Sequence, residues 1–179
     1  MDDVVEGAIG GRTIRFAEVT LSAGGTDSRT AFRGIVAAVP NLVALPHFFL
    51  AVERETRGPA IRIGVADLTR VRNLTGPSGE VLGVWAPSSN PADTPALAAV
   101  LDALKGMVSG IGGHARLYSA MSDGRMTHVA LRLDRDLFRI ANPFAGEDRL
   151  AENIRRAFSE LSVPVRVVSA LLQAEAAVA

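Results

Sequence analysis

The chain has no cysteine. That excludes disulfides, thiolate metal sites and a cysteine nucleophile. It bars no compartment chemically, so the cytoplasm is the expectation. Lysine is nearly missing, with Lys105 standing beside eighteen arginines. Acids and bases balance at nineteen each, so no overall field draws the chain to nucleic acid or to a membrane. Aromatic residues make up only 5%, with one Trp and one Tyr. None interleave with bases as a single-strand nucleic-acid platform requires. Long apolar runs are absent as well. The most apolar stretch, Ile35 to Val52, is interrupted by Pro40, Pro46 and His47 and falls short of a spanning helix. The start, Met1-Asp2-Asp3, is acidic where a secretory leader would be basic, so no leader is expected.

Local catalytic signatures are equally sparse. There is no G-x-S-x-G elbow, and the Gly24-Gly25 loop lacks the ending of a phosphate-binding loop. Gly110-x-Gly112-Gly113 follows a helix, the wrong order for a dinucleotide fingerprint. The three histidines, His47, His114 and His128, show no metal-ligand spacing. Neither a metal nor a cofactor is expected.

What the chain does have is enough apolar matter for a packed globule. It is 48% hydrophobic over 179 residues, and a chain of that length buries close to ~70% of its extended surface. Thr13 to Leu21 reads as a strand. Phe32, Ile35, Val36 and Val39 fall on one stripe, which predicts a helix capped by Asp27 or Ser28 and stopped by Pro40. Strands are expected at Phe48 to Val52, Ile61 to Val65, Val71 to Leu74 and Glu80 to Trp85. Pro95 opens a second helix, with Leu97, Leu101, Leu104 and Val108 along its buried face. A hairpin follows: Arg116 to Ala120, a turn at Ser122-Asp123-Gly124, then Met126 to Leu133. In its second arm Val129, Leu131 and Leu133 face in, while His128, Ala130 and Arg132 face out. Leu137 to Ala141 is a further short strand. Glu147 starts a last helix with Leu150, Ile154, Phe158 and Leu161 as its buried stripe, and Pro164 precedes a final strand, Val165 to Val168.

The element order repeats. Residues 13–80 and 81–147 both read β-α-β-β-β, about 67 positions apart, and seven residues coincide at that offset, among them His47 with His114 and Arg72 with Arg139. A doubled unit would bring His47 and His114 to equivalent strand starts. There they form a proton-switch or metal pair, or each sits half-exposed at a strand edge. Arg72 and Arg139 lie on short strands between apolar neighbours. Either suits a ligand carboxylate, and an arginine snorkelling on an edge strand leaves the same pattern. The general arginine bias has two readings of its own, bidentate anion binding or a GC-rich coding sequence.

Glu6-Gly7-Ala8-Ile9-Gly10, Ala17-Glu18-Val19-Thr20-Leu21, Thr30-Ala31-Phe32 and Phe49-Leu50-Ala51-Val52 together resemble the start of formaldehyde-activating enzyme, over residues 6 to about 67. That family condenses formaldehyde with a tetrahydropterin-type one-carbon carrier. Its motif has a catalytic His directly after the alanine matched by Ala17; here the position is Glu18, which the resemblance makes the candidate catalytic acid. Residues 69–161, in element order alone, also resemble the roadblock/longin class of dimeric scaffolds.

The sequence therefore predicts one α+β domain over residues 1–179: an antiparallel sheet with helices packed on one face, with an internal β-α-β-β-β duplication as the element order offers. The leading function is a soluble, non-catalytic binding or assembly module that forms a homo-oligomer and takes a protein partner. The alternative is a small enzyme acting on a one-carbon or pterin-type ligand through Glu18, with Arg72, Arg139, His47 and His114 as ligand-binding candidates.

Overall fold

A computed structural model describes residues 4–22, 30–43, 45–52, 60–63, 66–75, 79–87, 95–111, 115–133 and 147–176. They form nine strands and two helices. The strands are β1 (Val4–Ile9), β2 (Arg12–Ser22), β3 (Thr30–Pro40), β4 (Phe48–Val52), β5 (Ala60–Ile63), β6 (Ala66–Thr75), β7 (Val81–Pro87), β8 (Ala115–Ser122) and β9 (Met126–Leu133). The helices are α1 (Pro95–Ile111) and α2 (Glu147–Ala176). All nine strands join one sheet in the order β1-β2-β3-β9-β8-β4-β7-β6-β5, and every pairing is antiparallel. The fold is α+β, an antiparallel sheet with its helices on one face.

The core lies between that face and the helices. Ile35, Leu50, Val84, Leu117, Val129 and Leu131 come up from the sheet to meet Val100, Leu101 and Leu104 of α1 and Val167, Val168 and Leu171 of α2. Period-2 alternation puts them there. In β9 the even residues turn away from the helices and the odd ones toward them, as expected from the sequence. Pro95 is the first residue of α1, where its missing N–H is no loss.

Three expectations are corrected. The first is the helix predicted across 28–39, where residues 30–40 are the strand β3. A stripe at i, i+3, i+4 and i+7 is also produced by a strand that is apolar on both faces. β3 is such a strand, flanked by β2 and β9, with Ile35, Ala37 and Val39 buried under the helices and Phe32 buried on the reverse face against Tyr118. Among the described residues the first half of the chain thus has a strand, β3, where the second has α1. The second is the strand predicted at Val165 to Val168, which is instead part of α2. Val163, Val167, Val168, Leu171 and Ala174 are all buried, a 3.6-residue stripe that outweighs the β-branched residues. Pro164 is accommodated inside the helix. The third is the stripe Leu150, Ile154 and Phe158, predicted as buried. These residues are 47%, 48% and 70% exposed. The strand expected at Leu137 to Ala141 and the Gly24-Gly25 loop lie outside the described residues.

A buried ion pair ties α2 to the sheet. Arg12 begins β2 and is 2% exposed; Glu175 is in the last turn of α2 and 4% exposed. Both guanidinium NH groups donate to the carboxylate. The backbone N–H of Leu42 donates to Glu175 Oε1 at 3.0 Å, and Arg12 also reaches the carbonyl of Pro40 at 3.4 Å.

Candidate functional site

The residues singled out by sequence do not gather at one place. Glu18 is half-buried on β2, opposite Ile35 and on the helix side of the sheet. Arg72 is on β6 opposite Val84, also on the helix side. β2 and β6 are six steps apart in the sheet order, which at ~4.8 Å per strand is ~29 Å. His47 precedes β4 at the far end of the β8–β9 hairpin, and His114 and Arg139 lie outside the described residues. Between α1 and the sheet is an apolar cavity of about 20 Å³ lined by Leu50, Leu74, Leu82, Leu101 and Leu117, with Lys105 at its edge. A space of that size holds about one water and is far too small for a pterin.

The hairpin end carries a connected polar network. Asp123 Oδ1 accepts the backbone N–H groups of Arg125 and Met126 at 2.9 and 2.7 Å. Ser122 Oγ accepts the N–H of Gly124 at 3.1 Å. Asn41 binds the turn from the β3 side: its amide donates to the Gly124 carbonyl at 3.1 Å and its Oδ1 accepts from Thr127 Oγ1 at 2.8 Å. The N–H of Met126, first of all, lowers the Asp123 carboxyl below its ordinary value, with the charges of His128 and His47 adding to the effect. His47 Nε2 comes within 3.2 Å of where a Cβ on Gly124 would lie. The Nδ1 atoms of His47 and His128 are buried without a hydrogen-bond partner among the described residues. His47 therefore keeps company with Asp123 and the turn that leads to His128. The alternation of β9 turned His128 outward, but nothing in the sequence aligned it with a loop eighty residues upstream. No group of three or more His, Asp or Glu among the described residues is placed to hold a metal.

The helix-free side of the sheet carries one row of side chains in register. Arg70 stands opposite Trp85, Trp85 opposite Phe49, Phe49 opposite Met121, and Met121 opposite His128. The row continues through Ala38 and Arg15 to Glu6 at the edge. Arg70 lies 5.6 Å over the Trp85 ring, Phe49 tilts against it with centroids 5.6 Å apart, and Arg15 Nε donates to Glu6 at 2.6 Å. Trp85 itself is 1% exposed, so this row is a second, smaller core more than an open pocket.

The surfaces left open are elsewhere. Leu150, Ile154 and Phe158 recur every four residues on one side of α2, and Val165, 45% exposed, extends the same stripe by two turns. In the following segment of the same helix, Val163, Val167 and Leu171 are 7%, 1% and 0% exposed. At 100° per residue these buried positions lie roughly opposite the exposed stripe, so α2 turns one apolar side to the core and a second one to solvent. The edge strand β1 is exposed along most of its length, with Val4 at 67% and Val5 at 40%. Among the described residues no helix is long and apolar enough to cross a membrane.

No protein-family model matches the chain, and none of the curated proteins matches it in sequence. Among solved structures, the crystal structure of the mycobacterial trehalose monomycolate transport factor A, TtfA, is similar over 89% of this chain and 70% of that one, with a TM-score of 0.36 and 13% identity. A likeness at that level carries no conclusion about what this chain does.

Proposed function

We propose that this protein is a non-catalytic binding or assembly module that works as a homo-oligomer and docks a protein partner, in the cytoplasm. One observation carries the reading: the apolar stripe Leu150, Ile154 and Phe158 of α2 faces solvent. Full burial of such a side chain is worth ~1.5–3 kcal/mol; with Leu150 and Ile154 about half exposed and Phe158 at 70%, a covering surface recovers roughly half or more of that at each. Contiguous apolar surface of this kind marks protein contacts. The occupant proposed for the stripe is an apolar helical segment of a partner, which would meet it at the same i, i+4 spacing.

The test combines mass in solution with capture from native extract. The wild-type chain is expected as two or more copies and to retain a partner. Phe158→Asp is expected to stay folded, within ~0.5 kcal/mol of wild type because the position is exposed. It should lose the partner, since truncating a central aromatic anchor costs ~2 kcal/mol or more of binding. A strict monomer that retains nothing, or a variant that captures as well as wild type, overturns the reading. The enzyme alternative has its own discriminator: pterin-dependent aldehyde consumption that vanishes in Glu18→Gln.

A further inference from the structure

We infer that two copies of the chain join through β1, edge to edge about a two-fold axis at Gly7, into one continuous antiparallel sheet. The inference rests on the proposed self-association and says where it occurs.

β1 and β2 form a tight hairpin. Gly10 and Gly11 hold φ of 58° and 77°, the left-handed pair of a two-residue turn, and Ile9 and Arg12 close it. The closing pair of such a hairpin is hydrogen-bonded, so Ile9, Gly7 and Val5 direct their backbone groups to β2. Val4, Glu6 and Ala8 direct theirs outward. Native edges are usually blunted by lysine, proline, a bulge or shortness. β1 has none of these devices: its six residues, Val-Val-Glu-Gly-Ala-Ile, pair with β2 in unbroken register. Its single charge, Glu6, is engaged by Arg15 of its own sheet. The opposite edge, β5, is only four residues long.

A second copy is the occupant that fits, because this strand is complementary to itself. In an antiparallel pair, directly opposed residues point to the same face. Only registers that oppose even with even and odd with odd are therefore allowed. Centring on Glu6 sets Glu6 against Glu6 of the other copy, a like-charge contact. Centring on Val5 or Ala8 shortens the overlap or runs it into the Gly10-Gly11 turn. Centring on Gly7 sets Glu6 opposite Ala8 and Val5 opposite Ile9, with the outward backbone groups of Glu6 and Ala8 meeting. Val5 and Ile9 are on the helix side, since they oppose Phe16 and Arg12 of β2. An axis normal to the sheet keeps both helix layers on one side.

Single-cysteine crosslinking reads this directly, because the native chain has no cysteine. A Cβ added at Gly7 meets nothing within 4 Å, so Gly7→Cys fits the fold. Under mild oxidation it should give a disulfide-linked species of twice the 18.8 kDa chain. Glu6→Cys should not, because the Gly7-centred register leaves the two Glu6 Cα atoms more than ~7 Å apart. Charge supplies a second arm. Ala8→Glu opposes Glu6 of the other copy and should weaken association by about 2- to 30-fold for the two symmetric contacts. Ala8→Lys should keep or tighten it. A dimer by mass with no Gly7→Cys crosslink, or with the Glu6→Cys crosslink instead, overturns this interface while leaving self-association standing. A monomer at every concentration overturns both.

Discussion

Replacing Glu175 by Gln tests the claim that α2 is locked to the sheet by charge. The two partners, Arg12 and Glu175, are 2% and 4% exposed. Gln keeps the size of the side chain and one acceptor for the N–H of Leu42, but it removes the negative charge and sets an amide NH2 against Arg12 Nη2, which donated to the carboxylate. It leaves a guanidinium buried without a counter-charge, and breaking a buried pair from one side costs ~3–5 kcal/mol. A folded chain has only ~5–15 kcal/mol to lose. At ~2–4 °C per kcal/mol for this size, the midpoint of thermal unfolding should fall by ~6–20 °C. Urea unfolding of Glu175→Gln reads this loss directly, and Arg12→Met, Glu175→Leu and the double variant that combines those two measure the coupling. Each single variant should be strongly destabilised. The double variant, with both charges gone and the volume filled, should return to within ~1 kcal/mol of wild type. If Glu175→Gln costs less than ~1 kcal/mol, or the single effects simply add, the pair is not the lock described.

Two further outcomes follow from local packing and titration. Gly83→Ala places a Cβ within 2.5 Å of the Trp85 ring, so it should displace the indole, cost ~1–3 kcal/mol and red-shift the emission of the single Trp; unchanged emission with unchanged stability would refute that packing. Asp123 titrates below its ordinary value of 3.8, first through the N–H of Met126. Its stabilisation is therefore fully present above pH ~4 and lost as pH falls through the lowered value. Asp123→Ala should flatten the dependence of the urea midpoint on pH below 4, and a variant as acid-sensitive as wild type would exclude this role.

The local patterns that a single period can explain were legible. Val129, Leu131 and Leu133 alternate and are buried; Leu101 and Leu104 follow the helical spacing and are buried in α1. Where two periods overlap, the sequence was ambiguous. Phe32, Ile35, Val36 and Val39 satisfy a helix and a doubly buried strand alike, and neighbours across the sheet decided between them. β1 went unread because an edge strand exposed on both faces has no alternation to show. Arg12 and Glu175 are 163 residues apart, and no local rule pairs them. The last helix shows the limit from the other side. Leu150, Ile154 and Phe158 form the stripe that spacing predicts, but spacing reports that a face is apolar and not what covers it. For the candidate site, Glu18, Arg72 and His47 were residues of suitable chemistry without a shared address, and the strand order is what separates them.

That strand order has a consequence for how the molecule is made. β3 and β4 follow one another along the chain, yet the β8–β9 hairpin lies between them in the sheet. A nascent chain emerging from the ribosome can build β1-β2-β3 and β4-β7-β6-β5 as separate halves, each with a raw inner border. The keystone hairpin arrives only after α1. Throughout that interval both borders can capture wrong strands, and long-range closures of this sort are slow. Chaperone demand should therefore peak before residue 133 is released, and a product cut short of the hairpin should aggregate rather than fold.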